Sequence, residues 1–308
     1  MIVSVASGKG GTGKTTIAVN LALALALEGT MPVDFLDCDV EEPNAHLFLH
    51  PVLETSERVT LPVPVVDESK CTGCGTCAEV CAFHAILSLG GHVITFPELC
   101  HGCGGCARFC PEGAISEVPR EIGVVETGWA AGPAGQARGI RFAQGRVNIG
   151  TALAPPVVKA VRSKAGLGAG SYGGIVIIDS PPGTSCPVVA SVKGSDYCLL
   201  VTEPTPFGLN DLALAVDMVR EVGVPFGVVI NRAGLGDDKV AAYCRQESIP
   251  VLLEIPFDRR YAVCYARGGQ LVNDFPELGD SLTGLWRRIR AAVGPLSESL
   301  PREGETAR

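Results

Sequence analysis

Two sets of residues in this chain have the types and the spacing to carry chemistry. The first is Gly8-Lys9-Gly10-Gly11-Thr12-Gly13-Lys14-Thr15, which satisfies G-x-x-x-x-G-K-[ST] and runs on into Thr16. Glycines let successive backbone N–H groups turn inward around a phosphate, and a helix starting there adds the positive end of its dipole. Lys14 neutralises the β and γ oxygens, while the Thr15 hydroxyl can ligate Mg2+. The implied ligands are ATP or ADP with Mg2+. The second set is eight cysteines in two runs of C-x2-C-x2-C-x3-C: Cys71, Cys74, Cys77 and Cys81, then Cys100, Cys103, Cys106 and Cys110, the last followed by Pro111. This is the ligand spacing of two [4Fe–4S] clusters, in which three thiolates wrap one cluster and the remote fourth crosses to the other. By that rule Cys71, Cys74, Cys77 and Cys110 would hold one cluster, and Cys81, Cys100, Cys103 and Cys106 the other. Two four-cysteine zinc sites need the same ligand count, but the three-residue gap and the tandem repeat favour iron–sulfur.

Acidic groups stand where they could complete the phosphate site. Asp179 ends the apolar run Ile175–Ile178 and is followed by Ser180-Pro181-Pro182-Gly183. An acid at such a strand end can hold Mg2+ through water, and Gly183 can offer its N–H to a γ-phosphate. Asp37 and Asp39 follow a second strand that starts at Val33; taken alone they also read as two solvated carboxylates. Cys38, Cys198, Cys244 and Cys264 read as small buried hydrophobes, and Cys186, just past Gly183, reads the same way. His101 reads as an exposed side chain between two cysteines.

The elements that must position these groups are legible as alternating strands and helices. Met1 to Ser7 reads as a buried strand, and Lys14 to Glu28 as a helix closed by Gly29. Short apolar strands follow at 175–178, 198–202, 226–230 and 251–255, with helical stretches at 155–164, 211–221 and 239–247. Arg141 to Ile149 reads as a short hairpin turning at Gly145. Strands alternating with helices imply a mostly parallel sheet covered on both faces, an α/β class. The cysteine repeat interrupts this pattern. The expected division is therefore 1–61 and 120–295 for one α/β unit, 62–119 for an inserted unit, and 296–308 for a tail. Leu282, Leu285, Trp286, Ile289 and Val293 recur at helical spacing, as expected of a last helix packed on its own sheet.

Composition bounds the function. The chain has 308 residues, 46% of them hydrophobic and 19% charged, and thirteen cysteines. No run approaches the ~20 apolar residues of a membrane span, and the first residues lack the basic start of a secretory signal, so a cytoplasmic location is expected. In a reducing compartment many cysteines point to metal ligation. A formal net charge of −8 argues against nucleic acid as the partner.

With Lys9 added just after the first glycine, the phosphate loop resembles that of the deviant-Walker-A ATPases, which include MinD, ParA, the Mrp/NBP35 cluster carriers and the nitrogenase iron protein. The resemblance implies that Lys9 crosses a dimer to the partner's nucleotide and shares catalysis with Lys14 and Asp39. Asp37-Cys38-Asp39 resembles the family's switch I, so Asp37 would help hold the Mg2+ shell with Thr15, Asp39 and Asp179. Asp39 would orient the attacking water. Asn231, Arg232 and Pro256 fall where the family lines the adenine pocket. The cysteine block resembles bacterial two-cluster ferredoxins, with Ala82 where the first run would carry proline. The implied architecture is a P-loop NTPase with an inserted small α+β ferredoxin-like domain. The implied activity is an Mg-ATPase that forms a homodimer, or a heterodimer with a paralogue, and gates electron transfer to a redox partner protein. Two other roles share these parts: a cluster carrier or scaffold of the Mrp type, and a MinD-like positioning ATPase with redox-sensing clusters, whose membrane contact the C-terminal helix does not favour.

Overall fold

The computed structural model describes residues 1–131, 139–166 and 173–294. The expected tail at 296–308 lies outside the described residues. The strands are β1 (Ile2–Ser7), β2 (Val33–Asp37), β3 (Val52–Val66), β4 (Ile86–Leu89), β5 (His92–Thr95), β6 (Ile115–Ala130), β7 (Ile140–Val147), β8 (Ile175–Pro182), β9 (Tyr197–Thr202), β10 (Phe226–Ala233) and β11 (Val251–Pro256). The helices are α1 (Lys14–Glu28), α2 (His46–Leu49), α3 (Thr76–Glu79), α4 (Gly105–Arg108), α5 (Pro155–Arg162), α6 (Cys186–Val192), α7 (Pro206–Val222), α8 (Lys239–Gln246), α9 (Arg259–Ala266), α10 (Leu271–Asp274) and α11 (Pro276–Val293).

Nine strands form one sheet in the order β11-β10-β9-β1-β8-β2-β7-β6-β3. From β11 to β7 every pairing is parallel. Such a sheet must be covered on both faces, and its strands read as nearly unbroken apolar runs. α1 explains one face: it is buried on almost every side, because the sheet lies beneath it and α11 packs over it. Leu282, Leu285, Trp286 and Ile289 of α11 are buried in that same core, with Val293 partly buried against it. α6, α7 and α8 cover one part of the opposite face and α5 the other. No described helix is long and apolar enough to cross a membrane.

β6 and β3 extend the sheet by antiparallel pairing, β6 on β7 and β3 on β6. They are long, 16 and 15 residues respectively, and their pairing continues through positions 62 and 119, where the sequence suggests unit boundaries. Beyond the end of β7 they project as a two-stranded arm. The cysteine block sits at its tip, with α3, α4 and the β4–β5 hairpin. Two reversals make β3 run in the same direction as β2, so the arm points past the carboxyl edge of the parallel strands. Ser56 is level with Asp37 through the β3–β6–β7–β2 register. From there to Val66 the arm advances about 30 Å along the strand direction.

The expected hairpin around Gly145 is absent. Ile140–Val147 is one strand, parallel to β2. Gly145 is there because the strand is crowded: a Cβ would stand 2.6 Å from Val161 Cγ2 and 2.7 Å from Val40 Cγ1. The glycine allows close approach of α5 rather than a turn.

Candidate nucleotide and cysteine sites

The loop between β1 and α1 opens at the carboxyl edge of the sheet, where ligands bind in open α/β folds. Gly13 is the helix N-cap, with φ 91°, and no side chain caps the first turn. The opening N–H groups of α1 therefore remain available to an anion. A Cβ on Gly13 would lie 2.3 Å from Asn231 Nδ2, so only glycine lets β10 approach the loop. Asn231 itself donates from Nδ2 to the Thr12 carbonyl (2.8 Å), and its Oδ1 accepts from the Arg232 N–H (2.9 Å). Its amide ties β10 to the loop. Thr12 Oγ1 is buried with no partner.

Lys14, Thr15 and Asp179 form one buried cluster. Lys14 Nζ donates to Asp179 Oδ1 at 2.5 Å, and Thr15 Oγ1 donates to Asp179 Oδ2 at 2.6 Å. Asp39 Oδ2 stands 3.8 Å from the same ammonium. Burial alone would lower the Lys14 pKa, but Asp179 and Asp39 outweigh it and hold it raised. Burial pushes the Asp39 carboxyl up to about 6, against the pull of Lys14. Burial, reinforced by the Asp179 charge, pushes Asp37 up to about 8. Asp37 accepts three backbone hydrogen bonds, from the N–H groups of Asp39 (3.1 Å), Asn44 (3.2 Å) and Ala45 (3.1 Å). It thereby holds the loop that carries Asp39. Gly183, with φ 95°, donates its N–H to the Ser7 carbonyl at 2.9 Å. Lys9 contacts Glu203 of its own chain.

Beside the loop lies a cavity of about 280 Å³ lined by Gly11, Gly13, Thr16, Asn231, Arg232 and Pro256. Phe257, Tyr261 and Tyr265 also line it. The two tyrosines went unread in the sequence; their signal is the four-residue spacing on a helix opening right after Pro256, which turns both toward one side. Gly8 packs against α7, where a Cβ would stand 2.0 Å from the Asp211 carbonyl oxygen, whereas Cβ atoms on Gly10 and Gly11 would meet nothing within 4 Å, the open side a ligand needs.

At the arm tip the cysteines gather in two cavities. One is lined by Cys71, Cys74, Cys77 and Cys110 with Pro111, Val66 and Ile115. The other is lined by Cys81, Cys100, Cys103 and Cys106 with Pro64, Ala85 and Ile86. The two halves repeat each other in detail. Ala85 N–H donates to Cys81 Sγ and Ala114 N–H to Cys110 Sγ, each at 3.3 Å. Gly75 and Gly104 open α3 and α4 with φ 83° and 71°. Among the described residues no three His, Cys, Asp or Glu side chains converge closely enough to hold a single metal ion. His101 is exposed and stacks on Phe83 at 3.7 Å. Cys38, Cys198, Cys244 and Cys264 are buried as expected, but Cys186 is exposed, because it opens α6 at the edge of the sheet rather than on its packed face.

A glycine loop joining a central strand to a buried helix, with Asp179 on the strand alongside, defines a P-loop nucleotide-binding protein of the α/β class. More closely, the chain belongs to the CobQ/CobB/MinD/ParA nucleotide-binding domain family, whose model matches residues 3–272. An uncharacterized protein of Methanocaldococcus jannaschii is 32% identical over 270 residues, 87% of this chain and 90% of that protein. An iron-sulfur cluster carrier protein of Pyrococcus horikoshii is 28% identical over 321 residues, covering 95% of this chain and 88% of its own. Among solved structures, the septum site-determining protein MinD of Pyrococcus horikoshii, complexed with Mg-ADP, superposes with a TM-score of 0.55. That match covers 94% of this chain and 95% of that one at 20% identity, a likeness of fold.

Proposed function

We propose that the protein is an Mg-dependent ATPase whose nucleotide state controls dimerisation and, through it, electron transfer between two resident [4Fe–4S] clusters and a partner protein. The observation that carries this reading is the pairing of a complete phosphate loop with two four-cysteine cavities on one side of one sheet. Cys71, Cys74, Cys77 and Cys110 would hold one cluster and Cys81, Cys100, Cys103 and Cys106 the other. Soft thiolates and backbone N–H groups aimed at sulfur both suit that cargo. When bound, the clusters supply one-electron redox chemistry.

The rest is positioning and charge neutralisation. Lys14 leaves Asp179 for the β and γ oxygens of the bound nucleotide. Asp179 and Thr15, freed from Lys14 and from each other, would be the residues that hold Mg2+, which would supply further charge neutralisation. Asp37 keeps the loop in place through its three N–H contacts and so sets where Asp39 stands, within reach of the attacking water. Gly183 would exchange its bond to Ser7 for one to the γ-phosphate, and that exchange reverses on hydrolysis. The base would sit in the cavity between Asn231, Arg232 and Pro256, against Tyr261.

A cluster carrier role is the second reading, favoured by the likeness to the iron-sulfur cluster carrier protein of Pyrococcus horikoshii. Four cysteines from one chain around each cavity support a resident group over a transferable one. The deciding experiment is anaerobic purification followed by iron analysis and ATPase assay with the protein oxidised and then reduced. About eight iron per chain and a redox-dependent rate are expected. Zinc in place of iron would sink the reading, and iron that passes to an apo-ferredoxin on ATP addition would favour the carrier.

A further inference from the structure

Under the reading above, Lys9 acts across a dimer, yet within a single chain it is already engaged. Its Nζ lies 2.9 Å from Glu203 Oε1 and 5.9 Å from the Phe207 ring centroid. Glu203 follows the last residue of β9, at the same sheet edge as the phosphate loop. Its other oxygen, Oε2, accepts from Arg232 Nη1 at 2.9 Å, and Thr205 Oγ1 stands 3.5 Å from Oε1. The side chain is only 13% exposed. Burial would raise its pKa, but hydrogen bonds and charge from Lys9 and Arg232 outweigh that and hold the carboxyl below its ordinary range. Glu203 is thus a largely buried carboxylate with one cation on each oxygen.

We propose that Glu203 is a positioning residue that parks Lys9 on its own subunit, and that Arg232 is what allows this latch to open. The proposal rests on the reading of Lys9 as the lysine that crosses to a partner's phosphates. The single positive charge of Lys9 can neutralise Glu203 or a partner's phosphate but not both, so dimer closure exchanges one anion for another. Departure of Lys9 would strand an uncompensated buried carboxylate if no second cation were present. Arg232 remains on Oε2, fixed from behind by its own N–H to Asn231 Oδ1, so the carboxylate keeps a partner throughout. The latch withholds Lys9 until a phosphate-loaded partner competes for it, which raises the threshold for association without nucleotide.

The two partners of this triad act with opposite sign. Glu203→Gln removes the anion and frees Lys9. Arg232→Gln removes the second cation, leaving Lys9 alone to neutralise Glu203, and holds it more tightly. The test is a brief acetic anhydride pulse on the nucleotide-free protein, with acylation at each lysine read by mass spectrometry. Lys9 should label about fivefold faster in Glu203→Gln and about two- to threefold slower in Arg232→Gln, effects sized for a partly screened pair. Lys14, buried elsewhere in the site, should stay protected, and exposed Lys239 should not change. Equal Lys9 rates in the three proteins would overturn the latch, as would a rise shared by Lys14, which marks a loosened fold. Sedimentation with a non-hydrolysable ATP analogue adds the second arm: Glu203→Gln should dimerise at about tenfold lower protein concentration than wild type. Wild-type protein that stays monomeric with the analogue would refute the crossing role of Lys9, whereas the labelling ratio judges the hold of Glu203 by itself.

Discussion

Replacing Lys14 by methionine should do more than abolish nucleotide binding; it should destabilise the empty protein. The Lys14 side chain is 6% exposed and Asp179 is fully buried, with Asp37 and Asp39 close enough to affect its charge. Methionine fills the same space and leaves three carboxylates around a vanished cation. Breaking a buried pair by removing one partner costs about 3–5 kcal/mol. For a chain of this length about 2 °C of melting shift accompanies each kcal/mol, so a fall of roughly 6–10 °C is expected. The loss must also depend on pH. In the wild type, Asp37 at about 8 and Asp39 at about 6 lie above ordinary carboxylate values, so the folded state holds more protons than the unfolded one. Stability therefore falls as pH rises from roughly 4 through 8. Removing Lys14 takes away the largest pull in the other direction, so the methionine variant should suffer more at pH 8 than at pH 6. Differential scanning fluorimetry in chelator, without nucleotide, reads both effects. The double variant Lys14→Met/Asp179→Asn should recover part of the loss, because it removes the stranded charge. A Lys14→Met protein as stable as wild type at pH 8, or one hurt more at pH 6, would refute the electrostatic account.

Asp39→Ala should retain ATP by calorimetry while turnover falls at least a hundredfold; equal loss of binding would move Asp39 into metal binding or folding. Cys110→Ser should disturb the cluster held with Cys71, Cys74 and Cys77 and spare the one nearer in sequence, with EPR of the reduced protein as the check. Gly145→Ala should lower stability by about 1–3 kcal/mol through overpacking against Val161 and Val40, and a neutral result in denaturant titration would contradict the crowding seen there.

The phosphate loop and the helix behind it were legible because each residue type there has one physical use, and α1 runs from Lys14 to Glu28 as its caps imply. The cysteine spacing was equally legible: it anticipates which four line each cavity. Gly145 misled because glycine marks both turns and close approaches, and only the neighbouring Val157 and Val161 of α5 decide which. β3 and β6 went unread for another reason. Much of β3 is exposed on both sides, as in Glu54-Thr55-Ser56-Glu57-Arg58, so no alternation announces a strand. Its partner is 49–77 residues away in sequence, and pairing at that range leaves no local trace. Cys186 was misplaced by the general tendency of free cysteine to be buried, which says nothing about a residue at a helix start.

The position of β3 and β6 at the outer edge of the sheet has a consequence for how such a protein is assembled and can be taken apart. The cysteine block is attached where the sheet would otherwise end, beyond Leu61 and Ile122, the outermost arm residues buried in the core under α5. Leu61 and Arg120 face each other across the arm at the point where that core ends. Joining them through a two-residue Asn-Gly turn would excise the whole cysteine block and leave an ordinary hairpin on the rim. The shortened chain should fold, bind Mg-nucleotide and contain no iron, and insertion of the block at the same point should restore the iron: an appendage that can be detached or added as one piece.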